Sequence, residues 1–498
     1  MSGPLTAKEI IESVVDSGSF APGPQPQTGI DPLGWDLGEA YPDSLVASKA
    51  KTGFPAALCW GQATIGNTRA MLMVGAFEFM AGSLGLAEAA AIRNAIEVAI
   101  KERLPVVWFA CGGGCRMQEG ALSLFCIASV VAARRALGDH HLPLITVVVN
   151  PLFGGAAIAA LRGDIILGLT GTSLGLAGRH VVERMEKLPL PVGFQSAEFA
   201  HHNGQIDAVL DRVALPAALA RLLSLLGDGD RASTDAVFPA EPECEASAWE
   251  LVAAARTKKP TSRSVVARIG EDFFELHGDR AAGDDRAIFG GITRIGGRPV
   301  MVVAHDTACE HDTLFKIAHN FNMVEASGHR KALRLVRLAD RLRIPILTLI
   351  DTPGASVGVR SESDGQVFAM GELLDAMLGV SVPTVAVILG EGGSGGAVPL
   401  ASADRLLMTD VSYCSVLSPE AAAHIVLKDA TETPRAADAL KLAPRDLKKL
   451  GLVDRILPVA DGGDSFVGLL RDAFLACLRE VEGRPDVARR ARVGVPHL

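Results

Sequence analysis

LPVVWFACGGGCRM, residues Leu104 to Met117, is an apolar run that breaks into three consecutive glycines. It returns 240 positions later as IPILTLIDTPGAS, Ile344 to Ser356, with Pro345 in place of Pro105 and Gly354 in place of Gly114. Holding that offset sets Pro143 against Pro383, in PLITVVVN and PTVAVILG, and Asp164 against Asp404, in DIIL and DRLL. Gly155-Ala156 falls one place from Gly396-Ala397. Two apolar strands, each running into a glycine-rich turn, therefore occur twice at one spacing. A period this long marks a duplicated domain, because solenoid repeats recur every 20 to 50 residues or about that.

A chain of 498 residues exceeds one ordinary core, and two domains of roughly 220–250 residues suit the duplication. Hydrophobic residues at 49% and charged residues at 21% describe a globular chain, and aromatics at 5% favour close backbone packing over stacking surfaces. A net charge of −9 argues against nucleic acid as the main partner, since phosphate binding needs clustered Lys and Arg. The eight cysteines contain no CxxC pair. Cys111 and Cys115 flank GGG without a second ligand pair, which fits a tight turn rather than a zinc site. Reduced thiols and a cytoplasmic location are expected.

Thr6-x-x-Glu9 before IIESVV predicts a capped helix and lacks the basic start and apolar core of a signal peptide. Leu142 to Leu161 carries no charge over twenty residues, the length of a membrane span. Pro143, Asn150, Pro151 and Gly154-Gly155 cut it into strand, turn and helix start, and its counterpart Val382–Leu400 carries Glu391, so no membrane segment is expected. Ala56 to Met73 reads as a hairpin turning near Gly66-Asn67, and residues 290–306 as another turning at Gly296-Gly297. A helix from Gly82 through Arg103 and one from about His329 to Arg343 follow them, with Ile92, Ile96 and Ala99, and Leu335, Leu338 and Leu342, as their apolar faces. Each half then alternates strand, glycine turn and helix, which means βαβ units and a parallel sheet: an α/β chain. Gly227 to Ser247 is polar, acidic and proline-bearing. It places a linker at 229–246 between domains 1–228 and 247–498. Pro485 to Leu498 is expected to fray.

A glycine turn between a buried strand and a helix lets backbone approach a ligand and aims free N–H groups outward. Such amides form an oxyanion hole, where one donor is worth about 2.7–4 kcal/mol in the transition state. Four such turns in duplicate favour this reading over close packing alone. No GxxxxGK[ST] or well-placed GxGxxG is present, no GxSxG elbow, and no Cys with a His partner. His141 and His201-His202 lie in polar, loop-like contexts. Glu119 and Glu391 border glycine turns, but without paired carboxylates at equivalent positions they are weak acid–base candidates. Backbone amides without a side-chain base fit enolate chemistry in which cofactor or substrate supplies the base.

At these residues the sequence resembles the carboxyltransferase component of acetyl-CoA carboxylase, of the crotonase-like superfamily. FEFMAGSLG (77–85), GGCRMQE (113–119), NPLFGGA (150–156), LAGRHVVE (176–183) and LPVGFQSAEF (190–199) resemble the bacterial β subunit. GDRAAGDDRAIFGGI (278–292), HRKALRLVRLADRL (329–342), IDTPGA (350–355), GEGGSGGA (390–397), SVLSPE (415–420) and APRDLKKLGLVDRI (443–456) resemble the α subunit. The resemblance implies two tandem crotonase-like (ClpP/crotonase) domains of repeated ββα units, related by internal duplication. It implies transfer of the carboxyl group of carboxybiotin, on a separate carrier protein, to acetyl-CoA or another short acyl thioester. The freed ureido nitrogen takes the α-proton and the enolate captures CO2, so two oxyanions develop and two holes are needed. Carried over, Gly113 and Gly114 match the first hole and Gly396 and Ala397 the second, with Gly354 and Ala355 lining the same cleft. Gly82, Ser83, Arg116, Gly154, Gly155, Gly178 and Gly395 are the candidate substrate-binding residues. Biotin carboxyl carrier protein and biotin carboxylase are the implied partners, and a homodimer or higher even oligomer the implied assembly, the N-half of one protomer facing the C-half of another.

Three departures matter. The four-cysteine zinc ribbon of the bacterial β subunit is absent, so no metal is expected. The Lys- and Arg-rich α-subunit stretch is HDTACEHDTLFKIAHNFN (305–322) here, with Lys316 its only Lys or Arg, which weakens contacts to CoA phosphates or carrier. The aromatic usual after TPGA is Ser356, which bears on acyl or biotin recognition. The chain carries no Met-Lys-Met biotinylation site. Two other functions stay open: a malonyl-thioester decarboxylase acting on CoA or carrier-protein thioesters, and a non-catalytic carboxylase-like partner subunit.

Overall fold

The computed structural model describes residues 4–24, 31–35, 37–227, 236–242, 245–257, 259–281, 283–307, 313–459 and 463–482. Two compact units account for it, Met1–Gly227 and Asp228–Leu498. Asp228, residues 229–235 and 243–244 of the expected linker, 308–312 of the departing stretch, and all of Pro485–Leu498 lie outside the described residues.

Each unit is one eight-stranded sheet with helices on it, built on a common plan. An antiparallel hairpin opens each, Leu58–Ile65 with Thr68–Gly75 and Ile288–Ile295 with Arg298–His305. Its two-residue turn needs φ > 0 twice: Gly66 and Asn67 stand at 56° and 66°, Gly296 and Gly297 at 59° and 72°. That mirror-image turn matches the right-handed twist of the strands. Four parallel strands follow in the first unit, Val106–Gly112, Leu144–Phe153, Ile165–Leu169 and Ala208–Leu210. Ile346–Thr352, Thr384–Gly393, Arg405–Thr409 and Arg455–Leu457 repeat them in the second.

The residues that carry the sequence repeat do the same work in both units. The Pro105 and Pro345 carbonyls accept from Met71 and Met301, each at 2.9 Å, and those of Pro143 and Pro383 from Val106 and Ile346, each at 2.9 Å. Asp164 and Asp404 take the first amide of the neighbouring strand, Leu144 at 2.7 Å and Thr384 at 2.8 Å. Prolines start the strands because they need no ladder donor there, and a buried carboxylate holds a strand end that would otherwise leave its N–H unpaired.

The helices Leu86–Glu102 and Ala326–Leu342 start three or four residues away from the expected points. Before each comes a short left-handed turn that periodicity does not signal. Ile92, Ile96 and Ala99, and Leu335 and Leu338, are buried as the spacing predicts. The capped first helix is Ala7–Val14, with Thr6 and Glu9 bonded reciprocally. Leu142–Leu161 is cut into strand Leu144–Phe153 and helix Gly154–Ala160. Among the described residues one helix, Met117–Asp139, is long and apolar enough to cross a membrane by length and composition. It packs on Leu86–Glu102 and Gly154–Ala160 and turns Leu122, Leu124 and Phe125 outward.

Candidate active site

The site in each unit forms where three pieces of backbone converge. The first is a turn of three successive left-handed residues, Met80, Ala81 and Gly82 at φ 46°, 54° and 66°, repeated as Asn320, Phe321 and Asn322 at 47°, 53° and 62°. Such a conformation costs roughly 1–2 kcal/mol for each non-glycine residue, so its surroundings must hold it in place. The second is the end of the central strand, with a register shift after Ala110 in one unit and after Ile350 in the other. The third is the start of helix Gly154–Ala160, or Ser394–Ala401, where Gly154 and Ser394 stand at φ 57° and 51°. Single parallel bridges, Leu84 with Cys115 and Val324 with Ala355, tie the first piece to the second.

Glycine is required where these pieces touch. A Cβ on Gly154 would lie 3.3 Å from the Gly114 Cα, and one on Gly155 2.2 Å from the Cys115 sulfur. A Cβ on Gly396 would lie 2.5 Å from both the Ala355 nitrogen and the Gly354 carbonyl carbon. Gly114, at φ 126°, has nothing within 4 Å on its Cβ side. Open space thus lies over the turn while the helix start closes it from beneath.

The available donors differ by a step or two from the expected set. The Gly113 N–H is committed to the Ala81 carbonyl at 2.8 Å, and the Gly354 N–H to the Thr352 hydroxyl at 3.1 Å. Among the described residues no acceptor faces the amides of Gly114, Cys115, Gly155 and Ala156, nor those of Ala355, Gly395 and Gly396. Ala397 is no donor for a ligand, because as the fourth residue of helix Ser394–Ala401 it spends its N–H on the Gly393 carbonyl. Cys115 and Ala355 are the amides that correspond across the two units, and sequence reasoning misses Cys115. The one-place slip between Gly155-Ala156 and Gly396-Ala397 is corrected too. Strands ending at Phe153 and Gly393 put Gly155 opposite Gly395 and Ala156 opposite Gly396.

Arg116 departs most from its expected role. Rather than reaching substrate it is 2% exposed. Its guanidinium donates to the Ser83 Oγ at 2.6 Å, the Ser83 carbonyl at 2.8 Å, the Tyr41 hydroxyl at 2.9 Å and Glu88 at 2.9 Å. Ser83 is therefore half of a clamp, and Gly82 spends its N–H on the Phe79 carbonyl at 2.9 Å. Glu119 is no free acid or base, since it accepts from Tyr41 at 2.6 Å and from the Leu86 amide at 2.6 Å. Glu88 takes the amides of Ala57 at 2.8 Å and Gly85 at 3.0 Å. Gly178 caps the short helix Arg179–Glu186, two residues beyond Leu176, whose carbonyl accepts from Gly154 at 3.0 Å.

The second unit holds its turn with other groups. Asn320 donates to the Ser356 Oγ at 3.1 Å, Ser361 donates to it at 2.9 Å, and Thr352 donates to the Asn322 carbonyl at 2.6 Å. Behind the turn, buried Asp351 pairs with Lys259 and accepts from the Glu391 amide at 2.9 Å. Burial pushes the Asp351 carboxyl up, against the pull of Lys259. Glu391 accepts from Tyr413 at 2.7 Å and Arg256 at 2.8 Å, so it too is engaged. Within the departing stretch, helix Thr313–Ala318 turns Leu314 and Ile317 to solvent. Burial pushes the Cys115 thiol up, so it rests protonated at neutral pH.

Two preformed amide clusters, each at the foot of a helix and free of competing side-chain acids, can hold two developing negative oxygens. The chain is also similar to known proteins. Residues 243–468 match the family model described as acetyl co-enzyme A carboxylase carboxyltransferase-like. The acetyl-coenzyme A carboxylase carboxyl transferase subunits beta/alpha of Salinispora arenicola (strain CNS-205) is 41% identical over 467 residues, covering 91% of this chain and 82% of the relative. The Clostridium tetani (strain Massachusetts / E88) protein of the same name is 35% identical over 459 residues, 91% of this chain and 79% of its own. In fold, the chain is similar to the transcarboxylase 12S hexamer core, with TM-score 0.75 at 21% identity, covering 96% of this chain and 90% of that one.

Proposed function

This chain belongs to the acetyl-CoA carboxylase carboxyltransferase family, and from that premise we propose that it transfers a carboxyl group from carboxybiotin to acetyl-CoA, giving malonyl-CoA. The observation that carries the reading is the duplicated set of unpaired amides, Gly114, Cys115, Gly155 and Ala156 in one unit and Ala355, Gly395 and Gly396 in the other. The first set receives the thioester oxygen as it gains enolate charge. The second receives the ureido oxygen of biotin. When bound, carboxybiotin supplies the carboxyl group and the nitrogen that takes up the α-proton, which is why the chain needs no side-chain base of its own. Its residues orient both reactants and stabilise charge on each; one amide donor is worth about 2.7–4 kcal/mol.

Biotin carrier protein and biotin carboxylase are the working partners in this reading. Two copies of the chain supply the full assembly, with the outward Leu122, Leu124 and Phe125 and the outward Val367 and Phe368 as the faces they cover. Apolar groupings of that kind on a monomer mark interaction surfaces.

The test runs the reaction backwards on purified protein: malonyl-CoA with and without free biotin or biotinyl carrier, following CO2 and acetyl-CoA. Release that requires biotin is the expected result. Release without biotin would turn the reading to a malonyl-thioester decarboxylase. Silence with every carrier and acyl thioester would turn it to a non-catalytic partner.

A further inference from the structure

The chain contains two tyrosines in 498 residues, Tyr41 and Tyr413. Both are buried, at 1% and 2% exposure, and both lie beside a glycine turn. Each hydroxyl donates to a glutamate that borders its turn, Tyr41 to Glu119 at 2.6 Å and Tyr413 to Glu391 at 2.7 Å. An arginine completes each group: Arg116 donates to the Tyr41 hydroxyl at 2.9 Å, and Arg256 donates to Glu391 at 2.8 Å. The two groups are not copies of one ancestral set. At the 240-residue offset Glu119 corresponds to Val359 and Glu391 to Pro151, and at the 230-residue offset that relates the two hairpins Tyr41 falls on Glu271. The same trio of residue types braces each unit from unrelated positions.

We propose that Tyr41 and Tyr413 are positioning residues, each setting the geometry of one oxyanion hole. In the first unit the Tyr41 hydroxyl joins Arg116 to Glu119. Arg116 grips Ser83 through its carbonyl and hydroxyl, and Glu119 grips the Leu86 amide at 2.6 Å. The segment so held supplies the Ala81 carbonyl to Gly113, and its Leu84 amide donates to the Gly114 carbonyl at 2.8 Å. In the second unit strand Tyr413–Ser415 pairs with Glu391–Gly393, which runs directly into Ser394–Ala401. Glu391 reaches through its amide to Asp351, the residue before Thr352-Pro353-Gly354. Arg256 extends that brace to Glu420 at 2.6 Å. Removing either hydroxyl takes a donor from a carboxylate, buried Glu119 or half-buried Glu391, and loosens the backbone that the amides belong to.

This inference rests on the proposed division of labour, thioester in the first hole and biotin in the second. The experiment compares full-length Tyr41→Phe and Tyr413→Phe in malonyl-CoA decarboxylation driven by free biotin, with kcat and both KM values measured. In parallel, amide hydrogen exchange is followed in peptides covering residues 112–119 and 391–397. Each variant should lose about ten- to a hundredfold in kcat, since small misplacements of positioned groups cost that much. The KM for malonyl-CoA should rise in Tyr41→Phe alone and the KM for biotin in Tyr413→Phe alone. Exchange should quicken only in the variant's own turn. Glu119→Gln and Glu391→Gln should repeat the split shown by their tyrosine partners. Equal effects on both substrates, unchanged kinetics, or exchange that quickens in both turns or neither would overturn the brace. If wild-type protein shows no biotin-driven turnover while exchange still quickens locally, the brace stands and the proposed function falls.

Discussion

The two glycine turns share a backbone and almost none of the side chains that hold it. Both have three left-handed residues, one parallel bridge, a register shift and a helix that starts in the left-handed region. The first is locked by a buried cation and two buried carboxylates, Arg116 with Glu88 and Glu119. At the same place, 240 residues on, the second has Ser356 bonded to Asn320 and Ser361. The contact between the helix start and the strand end differs as well. In the first unit a Cβ on Gly112 would lie 2.7 Å from the Ala156 methyl, whereas in the second Gly396 is the crowded residue. Duplication has kept the amide geometry, which the chemistry needs, and let the supports change, because many arrangements can hold one backbone shape.

The largest difference should appear on filling the crowded position. Gly396→Val places a side chain against the Gly354–Ala355 peptide, which cannot give way without displacing the Ala355 amide. Turnover should fall by roughly 10²–10³-fold, the worth of one oxyanion donor, with circular dichroism unchanged. Ala156→Gly, its counterpart, removes a methyl from a site that already tolerates one and should cost far less. Equal losses in the two variants, or wild-type turnover in Gly396→Val, would remove the amides from the mechanism.

Next in size is the contrast between a charged lock and a neutral one. Arg116→Met leaves Glu88 and Glu119 buried without their cation, which typically costs about 3–5 kcal/mol. Ser356→Ala removes one neutral hydroxyl and should cost about 1 kcal/mol. Urea unfolding of the two variants checks the ranking. Similar shifts would mean that the first turn does not depend on its ion network.

Much of this is legible in the sequence because the repeat encodes local work. Pro105, Pro143 and Asp164 and their counterparts each act within one strand start, and Gly66-Asn67 within one turn. The donors fall a residue or two from their expected places because an amide's availability depends on carbonyls elsewhere, as Ala81 shows by claiming Gly113. Arg116 reads as a ligand contact in the sequence because its burial depends on Tyr41, 75 positions away. Tyr41 itself sits in a helix with no side-chain cap and little apolar stripe, so nothing local marks it. Glu119 and Glu391 stand out for bordering glycine turns, and their proximity is real. Their role as carboxylates held by Tyr and Arg is visible only once distant segments are brought together.

The smallest expected difference is one of acid sensitivity. Among the described residues the buried histidines are His305 and His329, both in the second unit. Burial pushes His305 down to about 3 and His329 down to about 4. An unfolded histidine titrates near 6.5 or so. As pH falls below that value, the unfolded chain takes up protons that the folded unit refuses, so the second unit loses stability, at most about 1.4 kcal/mol per histidine per pH unit. The loss runs from the unfolded value down to about 4 for His329 and about 3 for His305. Asp351, held high by burial, works in the opposite sense, because its folded form binds the proton first. His329→Gln separates the contributions: it cannot take up the proton in either state and should flatten part of the slope. Hydrogen exchange between pH 7.5 and 5.5, resolved by peptide, should show protection falling in the second unit and holding in the first. Equal declines in both units would assign the acid response to surface charge that they share, and the contrast between the halves would then end at their glycine turns.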